Sequence, residues 1–128
     1  MAKTSHKHRA FKMLEALGYI VADVETHLRH SFVTRDLFNF ADLIAVGHGS
    51  TIAIQATDTT SVSKRVDKCL AEPCVAVCLA NGWIIEVWGV RDESARDGSI
   101  VLARSLELSE DGQEVVAFDG SIILERSV

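Results

Sequence analysis

The sequence predicts an α/β fold of the mixed-sheet kind, with one central sheet covered by helices on both faces. Helix-spaced apolar residues open the chain and recur once in its middle, and the stretches between them are β-rich apolar runs. Those runs show few polar alternations, as expected of strands buried on both faces. With 128 residues, 48% hydrophobic and 24% charged, the chain is long enough for one domain with a sizeable core, 1–128. The same composition excludes disordered, collagen-like and disulfide-scaffold classes. No apolar run approaches the ~20 residues of a membrane span. The start, Met1-Ala2-Lys3-Thr4-Ser5-His6, lacks the apolar stretch of a signal peptide, so a cytoplasmic protein is expected.

Between Ser5 and Leu17, the residues Ala10, Phe11, Met13, Leu14 and Leu17 recur at helical spacing and Gly18 follows as a carboxyl cap. Tyr19 to Leu28 carries Ile20, Val21, Ala22 and Val24 and reads as the first strand. Residues 36–47 are almost continuously apolar and read as the second; the Gly47-His48-Gly49-Ser50 turn then joins them to a third strand, 51–57, in a hairpin. The cluster Asp58-Thr59-Thr60-Ser61 offers amino caps for a second helix over roughly 61–71, with Val62, Val66, Cys69 and Leu70 as its apolar stripe and Pro73 as its stop. Residues 74–80 and 83–88 read as strands four and five, paired through an Asn81-Gly82 type I′ turn. Beyond residue 91, runs such as Ile100 to Leu108 and Val115 to Phe118 between Asp-Gly pairs predict a small β appendage.

Charge is unevenly distributed. Residues 1–90 hold 9 Lys/Arg and 9 Asp/Glu, whereas 91–128 hold 4 and 9, so the net charge of −5 resides in the tail. Lys3, Lys7, Arg9 and Lys12 give the first helix a local cationic field. Cys69, Cys74 and Cys78 are odd in number and sit in apolar surroundings, which suits reduced, buried thiols. The five histidines form no metalloprotease-type pair, and neither a Gly-x-Ser-x-Gly elbow nor a Gly-rich phosphate loop is present. Trp83 and Trp88 are read as hairpin packing or buried interface rather than as base-stacking platforms.

Two polar residues stand where a core is expected. Asp42 lies between Phe40-Ala41 and Leu43-Ile44-Ala45-Val46, and an ionised carboxylate cannot stay there unpaired. It must meet a cation such as Arg35 or Arg65, a set of hydrogen-bond donors, or water at a strand end. Gln55 lies within Ile52-Ala53-Ile54-Gln55-Ala56-Thr57, on the strand face shared with Thr57. A hairpin closed at Gly47 to Ser50 brings Asp42 and Gln55 near each other on neighbouring strands.

The order helix, three strands, helix, strand, with Asp42 on the second strand and Gln55-Ala56-Thr57 on the third, resembles the PD-(D/E)XK nuclease superfamily and its αβββαβ restriction-endonuclease-like core. The stretch Arg35-Asp36-Leu37-Phe38-Asn39-Phe40-Ala41-Asp42-Leu43-Ile44, then Gln55-Ala56-Thr57, Ser61-Val62-Ser63-Lys64-Arg65 and Ile85-Glu86-Val87-Trp88-Gly89-Val90-Arg91, looks like a small phage and bacterial group placed there. It covers residues 5–91 and leaves 92–128 as an acidic β-rich tail.

The resemblance implies a metal-dependent DNA endonuclease, with branched or phage-processing DNA as candidate substrates. It implies Mg²⁺ or Mn²⁺ held by Asp42 and Gln55, with Glu25 and Asp36 as further candidate ligands, since hard cations take oxygen donors. Thr57 stands where that family carries a lysine, so Lys64 on the second helix is the candidate to act with Asp42 and Gln55 in catalysis. Lys3, Lys7, Arg9, Lys64, Arg65 and Lys68 are the candidate phosphate contacts. Duplex cleavage by so small a core implies a homodimer. The neutral Gln55 and the missing lysine define the alternative, a catalytically inactive nuclease-fold module that binds nucleic acid or a protein.

Overall fold

The computed structural model describes residues 5–27, 34–91 and 101–126. Its elements are α1 (His6–Ala16), β1 (Ile20–Asp23), β2 (Thr26–His27), β3 (Thr34–Arg35), β4 (Leu43–Gly47), β5 (Ser50–Thr57), α2 (Val62–Leu70), α3 (Pro73–Ala80), β6 (Ile84–Val90), β7 (Val101–Leu108), β8 (Val115–Asp119) and α4 (Ile122–Arg126). A six-stranded sheet has the order β1-β4-β5-β6-β7-β8, and β2 and β3 form a separate two-stranded ribbon. Within the large sheet β5 and β6 run parallel while the other neighbouring pairs run antiparallel. The expected mixed α/β sheet flanked by helices is therefore present.

Side-chain alternation along β5 builds two cores. Ile52, Ile54 and Ala56 pack with Leu43, Ala45, Trp88 and the α1 residues Ala10 and Leu14. Ala53 turns the other way, with Ile85 and Val87, onto Val62, Val66 and Cys69 of α2 and Val75 and Cys78 of α3. The β4–β5 hairpin closes through His48 and Gly49, whose φ angles of 51° and 79° give the primed turn that matches strand twist. Asp58 caps the short 3₁₀ turn Thr59–Ser61 ahead of α2, accepting from the Ser61 amide at 2.8 Å. At Gly89 a Cβ would lie 2.9 Å from the Thr59 Cα, so the glycine admits this turn against β6.

Three expectations are corrected. Residues 74–80 form α3 instead of a strand: Pro73 occupies its first turn, Glu72 accepts from the Cys74 amide at 2.9 Å, and Asn81-Gly82 ends the helix. Gly82, at φ 87°, turns the chain so that the Trp83 amide donates to the Cys78 carbonyl. The strand expected over 36–47 is confined to 43–47. Before it, Phe38 and Asn39 adopt φ 52° and 66° in a tight turn that bridges Leu37 and Ala41 and buries Phe40 and Ala41. The first strand is likewise shorter, and its continuation forms the β2–β3 ribbon. The tail strands extend the main sheet, with β7 paired to β6, so within the described residues they are continuous with it.

A helix not expected from the sequence, α4, is held by Glu86. This side chain is fully buried. Its Oε1 accepts from Trp88 Nε1 at 2.8 Å and Ser121 Oγ at 2.6 Å, and its Oε2 accepts from the Ile122 amide at 2.8 Å, with Ser105 Oγ at 3.1 Å. One carboxyl group thereby links β6, β7 and the start of α4. Trp88 is itself buried beside it and presents no face to a nucleobase. Glu86→Ala is expected to cost about 3 to 5 kcal/mol by stranding these donors, measured as a lowered urea midpoint. An unchanged midpoint would contradict this role.

Candidate functional site

Asp42 sits one residue before β4, and its backbone extends both neighbouring ladders. Its carbonyl accepts from the Val24 amide at 3.0 Å and its amide donates to the Ile54 carbonyl at 3.1 Å. The carboxyl group, 4% exposed, is directed at β5: both oxygens lie 3.2 Å from the Ala56 amide, and Gln55 Nε2 donates to Oδ2 at 3.2 Å. The sequence-predicted approach of Asp42 and Gln55 is thus a direct contact. The pairing with Arg35 or Arg65 left open above is not made.

Burial pushes the Asp42 carboxyl up to about 7; the Ala56 amide opposes this, the Asp36 and Glu25 charges add to it, and Lys7 acts against it. Gln55 is 3% exposed and its Oε1 has no hydrogen-bond partner among the described residues. When Asp42 is ionised, turning the amide over would face that oxygen to the carboxylate, so the nitrogen-inward assignment is the favourable one for that form, whereas a protonated Asp42 can donate to the turned amide. The result is a buried carboxyl beside an unsatisfied amide oxygen, and a small hard cation is one group that both would accept.

The other proposed ligands are engaged elsewhere. Lys7 Nζ lies 2.9 Å from both Asp23 Oδ2 and Glu25 Oε1. Lys68 Nζ lies 3.2 Å from Asp36 Oδ2, on the opposite side of the Phe38 turn in sequence from Asp42. Among the described residues no three His, Cys, Asp or Glu side chains form a metal-holding group, so Asp42, Gln55, Glu25 and Asp36 do not constitute one ligand set. Lysines take up Glu25 and Asp36 in place of that convergence.

Glu25 and Asp36 also line an open polar cavity of about 320 Å³, with Arg35 on β3 and Arg65 and Lys68 on α2. Lys64 is exposed, is not among the residues that line this cavity, and has no hydrogen bond or ion pair with Asp42 or Gln55. The helix instead turns Arg65 and Lys68, three apart, toward the cavity. Lys7 and Lys68 are each committed to acids, while Arg9 donates to the Arg91 carbonyl oxygen. Lys3 lies outside the described residues. Thr57 is buried at the end of β5, and no charged residue replaces the absent lysine on that strand.

Sequence reasoning missed Asp23, the second acid on Lys7, and Arg35 as a cavity residue. The first has no local signal, since residues 7 and 23 meet only when α1 packs beside β1. The cysteines are free thiols as expected; Cys69 and Cys78 are buried, whereas Cys74 is only partly buried, and Cys69 is pushed up to about 11 chiefly by burial. No helix among the described residues is long and apolar enough to cross a membrane.

The chain matches no protein-family model, no curated protein and no solved structure.

The raised Asp42 pKa has a definite sign for stability. The folded protein keeps a proton that the unfolded chain releases near pH 4, so stability is greatest below that value and falls as pH rises through about 7. The loss is on the order of 4 kcal/mol above pH 8. In metal-free buffer, denaturant midpoints of the wild type should therefore decline between pH 5 and pH 8. Asp42→Asn should lack most of that decline; equal slopes in the two proteins would rule out Asp42 as its source.

Proposed function

We propose that this chain is a nuclease-fold protein whose Asp42–Gln55 pair binds Mg²⁺ or Mn²⁺ and supports hydrolysis of DNA phosphodiesters. The observation that carries the reading is the unsatisfied buried Gln55 Oε1 beside a buried carboxyl group. In support, the element order is a helix, three antiparallel main-sheet strands, a helical crossover and a parallel strand, which is compatible with the αβββαβ order of the proposed core, with Asp42 just before the second of those strands and Gln55-Ala56-Thr57 on the third.

Asp42 and Gln55 Oε1 would hold the cation, which when bound polarises the phosphodiester and makes a coordinated water more acidic. Asp42 must release its proton to serve as ligand, so occupancy strengthens as pH rises through about 7. The Ala56 amide fixes the carboxylate from the strand side, which keeps its orientation when Gln55 turns toward a ligand. Arg65 on α2 lies at the neighbouring cavity and supplies fixed positive charge for phosphate oxygens.

The alternative, a non-catalytic binding module, draws on a different observation. Lys7 bridges Asp23 and Glu25, Lys68 pairs with Asp36, and β5 offers Thr57 in place of a lysine. A site with its outer acids answered by lysines would hold nucleic acid without cutting it.

The two readings separate in one assay. Labelled linear, single-stranded and four-way-branched DNA is incubated with Mg²⁺ or Mn²⁺ and wild type or Asp42→Ala, with an EDTA control. Metal-dependent products lost at least about 100-fold in Asp42→Ala are expected. Binding without cleavage of every substrate in both metals would replace the nuclease with the binding module.

A further inference from the structure

Two arginine side chains in the polar cavity have no partner among the described residues. Arg35, on the β2–β3 ribbon, and Arg65, on α2, both line it, and neither makes a hydrogen bond or ion pair among the described residues. Every acid in the lining is already answered: Glu25 by Lys7 and Asp36 by Lys68. The lining carries three cations and two acids, and Lys7 shares its one charge between Glu25 and Asp23, so the cavity has a net excess of one positive charge, presented by two guanidinium groups that pair with neither acid among the described residues; Thr34 lines the same space.

This arrangement selects a ligand chemistry. A lysine ammonium is a compact point charge, whereas each guanidinium presents parallel N–H groups suited to two oxygens of one anion. Two of them approaching a cavity from separate elements fit a phosphate group, which offers oxygens on more than one side. The Asp36–Lys68 pair helps hold the α2 side in place, since it ties that helix to the segment leading into β4. Glu25 and Asp36 line this cavity and their charges also act on Asp42, so the cavity and the proposed cation site share one electrostatic neighbourhood.

We propose that Arg35 and Arg65 form a clamp for a backbone phosphodiester of nucleic acid, adjacent to the phosphate at Asp42 and Gln55. This rests on the nuclease-fold reading for its neighbour and not for the clamp itself. The two arginines, and not Lys64 on the outer surface of α2, then provide the main phosphate contact of this face.

The test is binding of fluorescein-labelled duplex DNA, followed by anisotropy in EDTA so that no metal contributes. The proteins are wild type, Arg35→Gln, Arg65→Gln, the double variant, Arg35→Lys and Lys64→Gln. Each Arg→Gln change is expected to weaken binding about 5- to 20-fold and to reduce the slope of log affinity against log salt by about 1. Arg35→Lys should keep the wild-type salt slope and still lose affinity, because the charge stays and the fork is gone. Lys64→Gln should remain within about twofold of wild type.

Both arginines are solvent-accessible and unbonded, so the variants are expected to keep the wild-type melting temperature. Arg→Gln variants that melt normally and bind DNA as the wild type does would overturn the clamp. So would a Lys64→Gln loss equal to theirs, which would reduce the effect to general surface charge. A parallel calorimetric titration uses inorganic phosphate alone. Micromolar binding of inorganic phosphate, sensitive to both arginines, without DNA binding would assign the site to a free phosphate and overturn the nucleic-acid claim. Cleavage lost in Asp42→Ala with unchanged DNA affinity in the arginine variants would leave the nuclease reading intact while removing the clamp.

Discussion

The carboxyl group of Asp42 is the constraint on which the site depends. It is buried where β4 meets β5 and the end of β1, and its own backbone is bonded to β5 and to the residue after β1, so the sheet fixes the position of its Cα. Among the described residues three donor contacts reach it, and they come from two groups, the Ala56 amide and the Gln55 side chain. Glu86 makes the contrast within the same sheet. Equally buried, it is surrounded by indole, hydroxyl and backbone donors and acts as a structural link to α4. A buried acid that is fully bonded stabilises a fold, whereas one beside an orphaned acceptor is poised to take up a proton or a cation.

Around this centre the charges form alternating pairs. Lys7 from α1 closes on Asp23 and Glu25, and Lys68 from α2 closes on Asp36, so helices on opposite faces of the sheet each send a lysine to acids flanking the same strand end. These pairs are partly exposed and individually contribute little to stability. Their effect is positional, because they remove Glu25 and Asp36 from direct ligation and leave Arg35 and Arg65 as the uncommitted charges. The same arrangement is compatible with the proposed metal-dependent nuclease and with the proposed nucleic-acid-binding module. The chemistry at Gln55 Oε1 decides between them.

Much of the central architecture was legible because it depends on local rules. The β4–β5 hairpin follows from a turn tolerant of positive φ between β-rich runs, and the Asp42–Gln55 contact follows from that turn plus period-two alternation. The cap at Asp58 was equally local. Residues 74–80 were misread because seven consecutive apolar residues suit a buried strand or a buried helix alike; Glu72 and Pro73, as cap and first-turn residue, decide for the helix. Neither α4 nor the lysine pairs could be read from neighbours in sequence. Glu86 lies 36 residues from Ile122, and Lys7 lies 18 from Glu25, so these contacts exist only once the sheet has assembled. Lys64 and Arg65 were indistinguishable as basic residues, and the rotation of α2 against β6 gives the cavity to Arg65.

The most direct test of the central claim is a Mn²⁺ titration followed by electron paramagnetic resonance of the free ion, on metal-free wild type and Gln55→Leu at pH 6 and pH 8. With Asp42 titrating near 7, one bound Mn²⁺ per chain should form about tenfold more tightly at pH 8 than at pH 6, and Gln55→Leu should lose that site while remaining folded. A free-ion signal unchanged by the wild-type protein, or identical binding by Gln55→Leu, would contradict the assignment of Asp42 and Gln55 as a cation site.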